Sequence, residues 1–224
     1  MCPQYYFFLM KPLLIYCYDA YCGWCYGFGP VMKKIAADFN DLFDIEVLSG
    51  GMMIGESKMP IEKIGPYIQS AYKRVEDITG IKFGEDFLWH TANPDKSDWV
   101  MNSEKPAIAL CIFKEYYPEQ QLNFASDLQY ALNYEGRDQD DDEAYRHLLE
   151  KYNLPAEEFY AKLKTGDYKE KAYYEFALCK QLNVDSFPQV LLQLNESKFF
   201  LIAKGFTGYE DVKQRIENAL KENA

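Results

Sequence analysis

A chain of 224 residues with 48% hydrophobic and 17% aromatic side chains can bury a substantial core, as one domain or as one domain carrying a large insertion, and is not disordered. Its formal net charge of −11 argues against nucleic acid or an anionic membrane as the main partner, because both reward Lys and Arg. No apolar stretch reaches the ~20 residues that span a bilayer, and residues 5–10 lack the basic flank and cleavage site of a signal peptide, so a soluble cytoplasmic protein is expected.

Residues 13–18 are continuously apolar up to Asp19, as in a strand buried on both faces. From Trp24 the spacing turns helical, with Phe28, Val31, Met32, Ile35 and Phe39 on one face; Pro30 lies inside this helix and predicts a kink. Residues 44–49 read as a second strand stopped by Gly50-Gly51, completing a βαβ unit with a right-handed crossover. The middle of the chain is mostly helical, with predicted helices at 60–76, 105–116, 122–134, 142–152, 156–164 and 168–182, punctuated by Asn93-Pro94, Pro118, Pro155 and Gly166. The acidic run 138–143 precedes a helix, where carboxylates favour the positive end of the dipole, and needs no metal. Strands at 188–194 and 199–203 joined by a short loop, then a helix carrying Val212, Ile216, Ala219 and Leu220, close a mixed sheet covered by helices.

Chemistry concentrates at Cys22-Gly23-Trp24-Cys25. Six cysteines (Cys2, Cys17, Cys22, Cys25, Cys111 and Cys179) in a cytoplasmic chain are not expected to form a structural disulfide framework, so a C-x-x-C is catalytic or metal-binding. Placed between a strand and a helix, Cys22 meets free backbone N–H groups and the helix dipole, which favour the thiolate that attacks disulfides. Cys25, a turn further on, is placed to attack the resulting mixed disulfide. Cys17, Cys22 and Cys25 also have the C-x4-C-x2-C spacing of an iron–sulfur site, with Cys111 or Cys179 as a fourth ligand; the apolar strand around Cys17 argues against it. No second C-x-x-C or nearby His completes a zinc site, so no metal is assigned. Cys111 and Cys179 sit in apolar helical settings and read as core, and Cys2 lies near the start of the chain. His90 and His147 receive no role, and residues 89–94 are a candidate cleft lining.

The segment from Asp19 to Gly27, Asp-Ala-Tyr-Cys-Gly-Trp-Cys-Tyr-Gly, resembles the active-site entry of the DsbA-like thioredoxin-fold proteins, in particular the FrnE-type branch. The pairing of its C-x-x-C with Ser186-Phe187-Pro188-Gln189-Val190 before the next-to-last strand makes the resemblance more specific, and it covers nearly the whole chain. It implies an α/β thioredoxin-like fold with a large helical insertion: a discontinuous domain of residues 1–58 and 184–224, and an insertion of 59–183 whose last helix, 168–182, leads back. It also implies a cis peptide bond at Pro188 facing the dithiol. Asp19 reads either as a solvated carboxylate at the helix entry or, as the resemblance implies, as a proton acceptor beside Cys25, where apolar surroundings would raise its pKa. Trp24 is an apolar platform beside the sulfur, and with Tyr26 and Phe187 forms the candidate substrate contact; Phe187 stands where relatives often carry Thr or Val.

The implied activity is thiol–disulfide exchange with protein or small-molecule thiols and disulfides, with no cofactor beyond the dithiol itself and glutathione as a candidate co-substrate. Gly23-Trp24 lacks the histidine of the strongly oxidising members, which points to reduction or isomerisation. Two alternatives stand beside it. One is a glutathione-dependent isomerase or transferase resembling the kappa-class proteins, which carry Ser at the position of Cys22. The other is a binding module with a regulatory dithiol.

Overall fold

The structure, a computed structural model, describes residues 11–222; Cys2 and the apolar run 5–10 lie outside the described residues. Strand β1 (Leu13–Tyr18) leads through a four-residue turn into helix α1 (Gly23–Asp38) and back along β2 (Asp44–Ser49), which pairs parallel to β1. The six residues of β1 alternate between two apolar layers. Leu14, Tyr16 and Tyr18 join the main core, whereas Ile15 and Cys17 join a second cluster with Leu48, Cys179 and Leu191. Burial on both faces explains why β1 is apolar without interruption, and each fully buried aliphatic side chain of this kind contributes about 1.5–3 kcal/mol.

After β2 the chain forms a two-residue strand β3 (Met59–Pro60) and helices α2 (Ile61–Thr79) and α3 (Glu85–Ala92). Strand β4 (Val100–Met101) pairs antiparallel with β3. Helices α4 (Glu104–Tyr116), α5 (Gln121–Asn133), α6 (Arg146–Lys151), α7 (Ala156–Lys162) and α8 (Gly166–Gln181) follow. The predicted helices match α2, α4, α5, α7 and α8 to within a few residues. The segment predicted as helix over 142–152 instead begins with a 3-10 turn at Asp142–Tyr145 capped by the Asp141 carboxylate, then continues as α6. α3 and the β3–β4 ribbon were not among the predicted elements. α1 remains helical through Pro30.

Strands β5 (Gln189–Gln193) and β6 (Phe199–Lys204) and helix α9 (Tyr209–Lys221) complete the chain. The four-stranded sheet has the order β2-β1-β5-β6, with β1–β5 and β5–β6 antiparallel. This is the mixed, helix-covered thioredoxin-like sheet expected. Part of the helical middle shares the core of the sheet: side chains of α4, α5 and α7 lie in one apolar cluster with β1, α1 and α9, whereas α2 and α3 pack in a cluster of their own with Met53, Trp99, Met101 and Leu132. It also seals the edge of the sheet at β2. Gln121 accepts from Val47 N at 2.8 Å and donates to Ile45 O at 2.9 Å, and the Glu175 carboxylate accepts from Ser49 N at 2.9 Å. The outer backbone groups of β2 are thereby satisfied by side chains instead of being left as a pairing template.

Candidate functional site

The β1–α1 turn places the two cysteines differently. Cys22 is the N-cap of α1 in an extended conformation, and its sulfur accepts from Cys25 N at 3.2 Å, replacing the hydroxyl that usually satisfies this orphan N–H. The Cys22 thiol donates to the Phe187 carbonyl at 3.6 Å, so the loop before β5 faces the dithiol across 165 residues of sequence. The Phe187–Pro188 peptide bond is cis, as the resemblance implied. Cys25 lies on the inner face of α1 with 0% exposure, and burial, followed by its contact with Cys22, pushes its thiol well above the usual range.

Three groups hold the turn. Asp19 is almost fully buried; one carboxylate oxygen accepts from Tyr21 N at 3.0 Å and Ser103 Oγ at 2.8 Å, the other from Met52 N at 2.8 Å. Burial raises its pKa, and the donors from Met52, Tyr21, Ser103 and Gly51 counter that rise. Gln129 on α5, also buried, donates to Asp19 O at 3.1 Å and Cys22 O at 3.4 Å. The ring of Phe187 lies where a Cβ on Gly50 would come within 2.0 Å of it, so Gly50 is the residue that lets Phe187 seat beside the dithiol.

A cavity of about 210 Å3 opens beside Cys22. Trp24 and Phe187 line it, together with Met52, Met53 and Met101, and one face of α2 (Ile64, Tyr67, Ile68, Ala71, Tyr72 and Val75) forms its far wall. Among the described residues no charged side chain lines it. Tyr26 is not brought there: its ring packs edge-on against Phe83 at 5.5 Å, its hydroxyl donates to Lys82 O at 3.0 Å, and it lines a separate cavity with Tyr130 and Tyr134. Residues 89–94 do not line the cleft either. His90 stacks on Trp99 at 3.9 Å and hydrogen-bonds Ser97 at 2.8 Å, so this stretch packs α3 against its neighbours.

The other thiols are buried elsewhere. Cys17 faces the second apolar cluster with Cys179, across the sheet from Cys25, which separates the sulfurs that an iron–sulfur cluster would need together. Cys111 is buried near the Glu175 carboxylate. Among the described residues no three His, Cys, Asp or Glu side chains are grouped to hold a metal ion, and no helix is long and apolar enough to cross a membrane. Met52, Met101, Ser103, Gln129 and the α2 face were missed as site residues. The spacing of Ile64, Ile68, Ala71 and Val75 marks an apolar helix face, but nothing local says that it faces the dithiol.

A family model described as "DSBA-like thioredoxin domain" matches residues 14–217. No curated protein matches the sequence significantly. Among solved structures, one from Nitrosomonas europaea, provisionally assigned as a protein disulfide isomerase, superposes with a TM-score of 0.82 at 20% identity, covering 96% of this chain and 100% of its own. The cytosolic disulfide reductase DsbM from Pseudomonas aeruginosa gives a TM-score of 0.76 at 24% identity, covering 94% and 99%. Its structure with GSH gives 0.73 at 24% identity, covering 93% and 99%. At these identities the likenesses show the fold.

Proposed function

The chain belongs to the DSBA-like thioredoxin domain family, and from that premise we propose that it is a thiol–disulfide oxidoreductase of the reductase or isomerase type. Cys22 attacks the substrate disulfide, forming a mixed disulfide and releasing the first thiol. Cys25 then attacks the Cys22 sulfur, closing the Cys22–Cys25 disulfide and releasing the second. The observation that carries this reading is the asymmetry of the dithiol. Cys22 lines the apolar cavity and touches the Phe187 carbonyl, while Cys25 is fully buried behind it.

The loop before Pro188 supplies one wall for the substrate, and the cavity takes an apolar group next to the disulfide. Gly23-Trp24 offers no imidazolium to favour the reduced form, which supports the reductive or isomerising direction. A DsbM structure holding GSH supports glutathione as a thiol that re-reduces the pair. The segment from Asp19 to Gly27 is what supports the FrnE-type branch. The test is insulin reduction coupled to a thiol reductant. Cys22→Ser should abolish it, and Cys25→Ser should accumulate a covalent mixed disulfide with the substrate, visible by mass; full activity in Cys22→Ser would refute the proposal.

A further inference from the structure

Tyr26 follows the dithiol in sequence, yet the space it lines takes no part in the exchange chemistry. That space is a cavity of about 400 Å3 between α1 and α5, within the size range of sites that hold small molecules. None of its lining residues lines the cavity beside Cys22. Three tyrosines supply its aromatic surface. Tyr130 on α5 and Tyr134 just past its end lie one helical turn apart, and their rings stack at 4.7 Å with an interplanar angle of 19°. Both rings are nevertheless exposed. Tyr26 on α1 is fixed by Phe83 at 5.5 Å and by its hydrogen bond to Lys82 O at 3.0 Å. Rings held in place beforehand lose little conformational freedom when a ligand ring packs on them.

The charges around this cavity leave one cation over. Lys82 pairs with Glu76 at 3.1 Å, and Asp127 accepts from Lys151 and from the Tyr152 hydroxyl, each at 2.6 Å. Lys33 on α1 also lines the cavity and has no ion-pair or hydrogen-bond partner among the described residues. We propose that this cavity is a second ligand site, taking a planar aromatic monoanion whose ring packs on Tyr130 and Tyr134 and whose anionic group pairs with Lys33. A neutral ring would leave Lys33 without a partner, and an aliphatic anion would leave the tyrosine faces in water. The net charge of −11 does not forbid an anion here. At ~0.15 M salt the screening length is ~8 Å, so a cation in contact counts for more than carboxylates farther away. The site involves no exchange step and stands whether or not the dithiol works as proposed.

The experiment is equilibrium dialysis of the full chain at ~0.15 M salt against indole-3-carboxylate and, in parallel, its neutral counterpart indole-3-carboxamide. The wild-type chain should bind one equivalent of the carboxylate, about tenfold more tightly than the carboxamide. Lys33→Gln should abolish that preference and still bind the carboxamide as wild type does, which also shows that the site is folded. Tyr134→Ala should weaken both compounds about tenfold. Ile68→Ser, in the wall of the cavity beside Cys22, should leave both affinities as they were. Three results would each overturn the proposal: no saturable binding to the wild-type chain, a carboxylate preference kept in Lys33→Gln, or wild-type affinity in Tyr134→Ala. Binding lost in Ile68→Ser would do so as well, by placing the ligand beside Cys22.

Discussion

Asp19 shows how one buried carboxylate can be both a clamp and a liability. Its hydrogen bonds join the C-x-x-C turn to the segment after β2 and to the start of α4, while burial outweighs those donors and raises its pKa above the ordinary 3.8. The sign of the consequence follows from proton counting. Between the unfolded pKa and the raised folded one, the folded chain holds a proton that the unfolded chain has released. Stability from this group is therefore present at acid pH and is lost as pH rises through that window. Asp19→Asn cannot titrate, so its stability relative to wild type should improve progressively as pH increases across the window. Urea unfolding of both proteins at stepped pH measures this, and a difference constant with pH would contradict it.

At the scale of elements, the wall of the cavity comes from α2, whose apolar face is turned toward Cys22 and not toward the sheet. Replacing Ile68 by Ser puts a hydroxyl on that wall and removes apolar contact. It should raise KM about tenfold for disulfides flanked by an aromatic group and leave glutathione disulfide within about twofold, since the contribution of a few methylenes in such a pocket is ~1–3 kcal/mol. Steady-state kinetics with the two substrates decides it; an equal loss for both would mean that α2 shapes the dithiol and not the substrate. This wall was illegible in sequence for a physical reason. Cys22, Met52, Ile68, Met101 and Phe187 belong to five separated segments, and only tertiary packing brings them to one cavity. The strands and the dithiol were legible because their signals are local: an uninterrupted apolar run for β1, and two cysteines at a strand–helix junction. Pro188 was legible only through resemblance. Helix α3, at eight residues, is too short for its periodicity to stand out, and the two-residue strands β3 and β4 leave no alternating pattern at all. Tyr26 was misplaced because adjacency to Cys25 in sequence puts it on a different face of α1.

Over the whole molecule, helices α4, α5 and α8 and the sheet are joined into one body around the dithiol. Gln129 from α5 and Ser103 ahead of α4 reach the active-site turn, and Lys114 from α4 pairs with Glu46 on β2 at 2.6 Å and Glu175 on α8 at 2.7 Å. Around this body the net charge is −11, whereas among the described residues the cavity beside Cys22 has no charged lining. Selection by charge must therefore act during approach, through the long-range field, and not through a contact ion pair in the cavity. A negative field disfavours glutathione disulfide, which carries net negative charge, and favours a cationic disulfide such as cystamine. The leaving groups of the two differ, so the salt dependence is the informative quantity and the absolute rates are not. Between ~0.01 M and ~0.15 M salt the screening length falls from ~30 Å to ~8 Å. The rate of Cys22 attack should then fall for cystamine and rise for glutathione disulfide, each by severalfold up to roughly tenfold. Stopped-flow traces of Cys22 attack at stepped ionic strength measure both slopes. Slopes of the same sign for the two disulfides would show that approach to Cys22 is governed by the local uncharged surface and not by the charge of the whole chain.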